Sequence, residues 1–329
     1  MDRQATKQAG IRAVELLAMP IALILLPMVL PGYLQANEVV IYAIAVLGSA
    51  LLFGYTGLMS FGQGAFYGMG AYGCGWVGTA LGGSLPEMLL AGAALGTLSA
   101  LIVGYFSIRQ RGVYFVMLTL AFAQLFYFLA YSFRGLTGGD NGMTDIPRPP
   151  LSIGNLRFLN LDSPAAFYTF CAILFLLAYL AVRRIVQSPF GTTLIAIREN
   201  ENRARAIGNE VMLFKLAAFA FSGFLTGLAG ALHASFLGIA SLTGIDLDMS
   251  QTILAMTIIG GGTLGGSLAG PLFYIVLSSW LSTIWPRWPM LIGFILIAIS
   301  LYCPDGLWEG LRSALRKAMR MGGARHVSN

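Results

Sequence analysis

Residues 216–236 read LAAFAFSGFLTGLAGALHASF, a run with no Asp, Glu, Lys or Arg. An α-helix rises 1.5 Å per residue, so about 20 apolar residues reach across the hydrocarbon core of a bilayer. Nine further apolar stretches lie on either side, at 14–34 (interrupted only by Glu15 near its edge), 39–53, 58–81, 88–108, 112–133, 165–182, 249–261, 266–285 and 289–303. The stretch at 249–261 is short for a crossing and predicts a broken or re-entrant helix. The composition agrees: 57% of the 329 residues are hydrophobic and 10% charged, with a mean hydropathy of +0.76. Soluble domains carry about 25% charged residues, and a chain this apolar lacks the polar surface to cover a water-soluble globule. The expected fold is all-α, a polytopic membrane protein of about ten transmembrane helices.

Basic residues are retained on the cytoplasmic side of a membrane, and their placement here is lopsided. One set of connections and ends holds Arg3, Lys7, Arg12, Arg109, Arg111, Arg183, Arg184, Arg198, Arg203, Arg205, Lys215, Arg312, Arg316, Lys317, Arg320 and Arg325. The other holds only Arg134, Arg148, Arg157 and Arg287, against the acids Glu38, Glu87, Asp140, Asp145, Asp162, Asp246 and Asp248. Both termini are therefore expected in the cytoplasm. The chain reads as one transmembrane domain over 1–329, with an extracytoplasmic loop at 134–163, a cytoplasmic loop at 183–215 and a basic cytoplasmic tail at 304–329. The net charge of +6 sits at the inner surface, where anionic lipid headgroups and partner proteins, not nucleic acid, are the contacts it suits. The first apolar stretch contains three prolines and is too long for a signal-peptide core, so it is expected to stay as a helix. Cys74, Cys171 and Cys303 fall within or at the ends of spans, as packing residues; no metal site is expected.

Three segments depart from bulk membrane helix. At 54–75 the sequence is GYTGLMSFGQGAFYGMGAYGCG. Glycines this dense permit close helix packing, or unwinding beside a cavity. The polar Ser60 and Gln63, with Gly62 and Gly64, are candidates to line a solute path, joined by Thr119, Gln124 and the glycine carbonyls of Gly260, Gly261 and Gly262. At 134–150, RGLTGGDNGMTDIPRPP carries strong turn chemistry at Thr137, Gly138, Gly139, Asp140 and Asn141. A loop of this length is a candidate docking surface for an external partner. At 187–215, QSPFGTTLIAIRENENRARAIGNEVMLFK predicts a helix that starts at Ser188-Pro189 and stops at Gly208. Its apolar face is Leu194, Ile197, Ala204, Ile207 and Val211; Arg198, Glu199, Glu201, Asn202, Arg203 and Arg205 supply the polar surface. A peripheral motor protein can grip such a helix.

At these places the chain resembles the branched-chain amino acid ABC permease family, of the LivM-type subunit. The matching stretches are GYTGLMSFGQGAFYGMGAY at 54–72, RGVYFVMLTLAFAQ at 111–124 and TGGDNGMTD at 137–145, then SPFGTTLIAIRENENRARAIG at 188–208, FKLAAFAFSGFLTGLAGAL at 214–232 and MTIIGGGTLGGSLAGPL at 256–272. Gln63 stands where many relatives carry His. The resemblance implies a complex with a LivH-type sister permease, two cytoplasmic ATPase subunits and an extracytoplasmic solute-binding protein. It places a coupling helix within 188–208, with Arg198, Glu199, Glu201, Arg203, Arg205 and Gly208 on the ATPase side. It also implies a solute among branched-chain and related amino acids, urea or short amides, and residence in the bacterial inner membrane.

The chain itself has no G-x-x-x-x-G-K-[ST] phosphate loop, and Lys7, Lys215 and Lys317 are its only lysines. ATP and Mg are therefore expected on partner subunits, and no cofactor on this chain. Catalysis is not expected either: His233 and His326 are the only histidines, and His233 suits a packing role. The competing reading is a passive channel or a secondary transporter; ion-coupled carriers place ionisable groups inside spans, and the span interiors read as nearly free of them.

Overall fold

A computed structural model describes residues 19–149, 151–153, 156–159, 163–303, 306–308 and 310. Arg3, Lys7, Arg12 and most of the basic tail at 304–329 lie outside the described residues. Helix α1 covers Met19–Val29, and α2 covers Tyr33–Ala50 and runs on as a π-helical turn over Leu51–Thr56. Then follow α3 (Gln63–Ala80), α4 (Leu85–Ser107), α5 (Val113–Ser132), the single turn α6 (Arg134–Thr137), α7 (Pro164–Gln187), α8 (Pro189–Glu199) and α9 (Glu201–Ala206). The chain continues with α10 (Val211–Leu237), α11 (Leu247–Ile259), α12 (Gly266–Ile284) and α13 (Trp288–Tyr302). Each expected apolar stretch holds one of these helices. Among the described residues, six elements are long and apolar enough to cross a membrane: Tyr33–Thr56, Leu85–Ser107, Val113–Ser132, Pro164–Gln187, Val211–Leu237 and Gly266–Ile284.

Local chemistry sets the helix ends. Ser163 caps α7, its hydroxyl accepting from Ala166 N at 3.1 Å, with Pro164 at the first helical position. Gly238, at φ 74°, ends α10 in the left-handed conformation that only glycine takes without strain. Glycine also decides the core. Gly92 and Gly96 on α4, Gly223 and Gly227 on α10 and Gly70 on α3 form a seam in which a side chain on any one would run into its neighbour's backbone or Ala Cβ. Two of these pairs are small-xxx-small spacings, the pattern that brings membrane helices into van der Waals contact. Helix α2 packs against α10, α7 and α12, and from Val39 to Leu52 its side chains are almost all buried. By contrast α5 presents Val113, Tyr114, Met117 and Phe128 outward.

The fold is helical as expected, and the long loop adds a short two-stranded antiparallel hairpin, β1 (Leu151–Ile153) and β2 (Leu156–Leu159). Two sequence expectations need correction. The stretch at 58–81 is not one helix: the chain is irregular from Gly57 to Gly62 and α3 starts only at Gln63. Glu38 is not in a loop, because α2 begins at Tyr33 and places it in the second turn. The short stretch at 249–261 belongs to a 13-residue helix, and in the irregular segment before it Leu242, Gly244 and Ile245 are buried, with Ile245 packed onto Gly68 of α3. Backbone without helix is tolerated at membrane depth only where protein covers it.

Candidate translocation and coupling site

The irregular stretch ahead of α3 frees backbone N–H groups that need acceptors, and hydroxyls from two other helices and from Ser60 of the stretch itself supply them. Phe61 N donates to Thr119 Oγ1 on α5 at 3.2 Å, and Gly64 N donates to Ser250 Oγ on α11 at 2.9 Å. Gly62 N donates to the Ser60 hydroxyl at 3.2 Å. The Gln63 side chain is fully buried, donating from Nε2 to Ser222 Oγ at 3.1 Å and accepting at Oε1 from Thr226 Oγ1 at 2.8 Å. The structure thus brings Ser60, Gly62, Gln63, Gly64 and Thr119 together, and adds Ser222, Thr226 and Ser250, which the sequence reading missed. Ser222 and Thr226 stand four apart beside Gly223 and Gly227, so a polar pair on the glycine face of α10 was the available signal. Gln124, partly exposed further along α5, is joined to this cluster by no hydrogen bond among the described residues. In this conformation the cluster's polar groups serve one another. Gly64 has no room for bulk, since a Cβ there would lie 2.6 Å from Ser250 Oγ.

Gly260, Gly261 and Gly262 belong to a second break, between α11 and α12, and no hydrogen bond among the described residues joins them to Gln63. Gly261 and Gly262 take φ of 77° and 63°. Gly54, in the π-helical turn, abuts this break so closely that a Cβ would strike the Gly262 carbonyl. A π turn displaces carbonyls from their helical partners, and Arg198 Nη1 of α8 donates to the carbonyl of Gly54. One guanidinium thus ties α8 to the end of α2 and, through Gly54, to the α11–α12 break.

The segment expected as one amphipathic helix is two. Asn200 leaves the helical conformation (φ −158°, ψ 101°) and caps α9, its side-chain oxygen accepting from Arg203 N at 3.0 Å. Leu194, Ile197, Ala204 and Val211 are buried as the periodicity predicts, but Ile207 is 72% exposed because the second helix ends before it. Glu201 faces inward. Its Oε1 accepts from Arg111 Nη2 and Arg205 Nη2, and its Oε2 from Lys215 Nζ, all at 3.0 Å. Partial burial pushes the Glu201 carboxyl up, but the Lys215 hydrogen bond and the charges of Lys215, Arg111 and Arg205 outweigh it and hold the carboxyl below its usual range. Glu199, Arg203 and Gly208 stay exposed, with the guanidinium of Arg205. Lys215 is buried in the first turns of α10. The Glu201–Arg205 spacing is visible in sequence; the partners Arg111 and Lys215 come only from the fold.

At the opposite end of the helices, Thr137 Oγ1 donates to the Phe133 carbonyl at 3.0 Å and accepts from Gly139 N at 3.2 Å. Gly138 and Gly139 are left-handed at φ 76° and 64°. These bonds present Asp140 and Asn141 outward. Behind that tip Met143 pairs with Ala240 through two backbone hydrogen bonds of 2.9 Å. Arg148 Nε donates to Ser235 O at 2.6 Å, with its guanidinium 5.3 Å from the centroids of Phe167 and Phe236. His233 packs between Tyr42 and Tyr67, at centroid distances of 5.8 and 5.7 Å.

Comparison with known proteins identifies the family. The family model described as branched-chain amino acid transport system / permease component matches residues 35–301. The high-affinity branched-chain amino acid transport system permease protein LivM of Escherichia coli K12 is 28% identical over 306 residues, covering 85% of this chain and 71% of the relative; its Salmonella typhimurium counterpart gives the same figures. The L-arabinose transport system permease protein AraH of Escherichia coli K12 is 28% identical over 207 residues, 62% of this chain and 59% of the relative. No solved structure matches. With a family match across most of its length and six helices able to span a bilayer, this chain is a multi-pass membrane protein that belongs to the branched-chain amino acid transport system permease family.

Proposed function

We propose that the chain is the membrane-spanning permease subunit of an ATP-driven importer in the bacterial inner membrane, moving branched-chain or related amino acids. The family match over residues 35–301 carries this reading, and similarity to LivM proteins over 85% of the chain supports it. The finer architecture belongs to the same proposal: about ten crossings, both termini cytoplasmic, α8 and α9 facing two ATPase subunits that bind ATP and Mg, and the loop with Asp140 and Asn141 facing a solute-binding protein. A LivH-type sister permease completes the path. The basic residues support that orientation, since Arg111, Arg183, Arg184, Arg198, Arg203, Arg205 and Lys215 gather at the α8–α9 end. Movement of α8 would reach the helix breaks through Arg198 and Gly54, while the polar cluster around Gln63 would exchange internal bonds for contacts along an uncharged path.

The test is reconstitution of the chain with its partner subunits and uptake of labelled leucine, with urea and short amides as further solutes. Uptake that stops when ATP is removed is the expected result. One observation favours the second reading, an ion-coupled carrier: Glu38 lies within membrane helix α2. Uptake indifferent to ATP but abolished by collapsing the proton gradient would establish that reading instead.

A further inference from the structure

The end of the helices that carries the Asp140 loop also opens a polar cleft of about 310 Å³ between α2, α11 and α12. Its walls are Gln35 and Glu38 from α2, Thr252 from α11, and Ser278, Ser279 and Ser282 from α12. Gln35 Nε2 donates to Ser279 Oγ at 3.3 Å, which closes one side. Glu38 is half-buried, and among the described residues it makes no ion pair or hydrogen bond. None of the residues that line the cleft is basic. A carboxylate in a membrane helix is costly to keep and is normally paired or functional. This one sits among hydroxyls, in a space large enough for a small solute, with the cation missing from the protein's own side chains.

We propose that this cleft binds a primary ammonium group, with Glu38 as its counter-charge and the serine and threonine hydroxyls accepting its remaining N–H groups. An ammonium carries three donors and no acceptor, which matches one carboxylate flanked by hydroxyl oxygens. Buried Met256 and Ile275, with Trp288 at the edge, give apolar surface beside the polar wall, as the aliphatic part of an amino acid or amine requires. The inference deepens the transport reading by giving the solute an entry subsite on the face where a binding protein would release it. The same ammonium chemistry is available from a phosphatidylethanolamine headgroup.

The test uses the full chain in phosphatidylcholine nanodiscs, titrated calorimetrically with isoamylamine and with 4-methylpentanoate, which carries a carboxylate in place of the ammonium. The amine should bind and the acid should not. Glu38→Gln should weaken the amine about tenfold or more, as loss of a charged hydrogen bond implies, and Glu38→Asp should retain part of the affinity. Ser279→Arg leaves the carboxylate in place but adds a cation at the rim, and should weaken the amine as well. Equal binding of amine and acid, or amine binding unchanged in both Glu38→Gln and Ser279→Arg, overturns the assignment. Replacing the lipid with phosphatidylethanolamine separates the sources: a weakened amine identifies the headgroup as occupant, an unchanged one the solute. Binding needs no ATP, so a chain that binds the amine yet fails the ATP-dependent uptake test loses the importer reading and keeps the site.

Discussion

Glu201 shows what one side chain does when three cations converge on it. Lys215 has a side chain only 6% exposed, whereas those of Arg111 and Arg205 are 55% and 61% exposed. Exposed ion pairs contribute between zero and about 1 kcal/mol; leaving a buried charged group without its partner costs about 1–3 kcal/mol or more. Glu201→Gln should therefore lower the stability of the detergent-solubilised chain by about 1–3 kcal/mol, while Arg111→Ala or Arg205→Ala costs less than about 1 kcal/mol; thermal unfolding measures both. The pH dependence follows in sign. A carboxyl held low in the folded state stabilises it above the unfolded pKa and loses that contribution as pH falls through the folded one. The gap between wild type and Glu201→Gln should be full at neutral pH and close only below the usual carboxylate range. Charge and spacing made Glu201 legible as functional surface, but not its direction. Its partners lie 90 residues upstream and 14 downstream, separations that no local pattern encodes.

Between elements, the decisive contact is the hydrogen bond from α8 to the last turn of α2. Arg198 reaches the Gly54 carbonyl and Gly54 meets Gly262, so in the proposed importer displacement of α8 would reach the helix breaks through this contact. Arg198→Ala should lower ATP-driven uptake about fivefold or more, the lower range of coupling between distant sites, with little change in thermal stability because the arginine is exposed. Uptake assayed beside unfolding separates the two effects. The positions of the apolar helices could be read from sequence because about 20 residues without charge leave few alternatives in lipid. The breaks at 57–62 and at Asn200 could not. Glycine is compatible with either packed helix or irregular backbone in a membrane, and hydroxyls on α5 and α11, far off in sequence, decided for the latter. Asn200 did carry a local signal, since asparagine is a strong N-cap, but the apolar periodicity across it reads as continuous.

Across the whole molecule, polar residues divide between two ends of an apolar bundle, and this gives a topological expectation. Asp140 and Ile207 are both exposed, at opposite ends. A membrane-impermeant maleimide applied to intact spheroplasts should modify Asp140→Cys and spare Ile207→Cys until the membrane is opened; the reverse pattern would invert the orientation. Of the native thiols Cys74 and Cys171 are buried, whereas Cys303 is partly exposed and is replaced by serine in both variants. Helix α10, 27 residues long, connects these ends without interruption. It is held by Glu201 through Lys215 at one end and by Arg148 through the Ser235 carbonyl at the other. A rod clamped at both ends and seated along a glycine seam has little slack to absorb a push. In the proposed importer, contact at the Asp140 end and force at the α8–α9 end would act on a single shared strut, so timing between the two faces would be a matter of stiffness and need no separate signal.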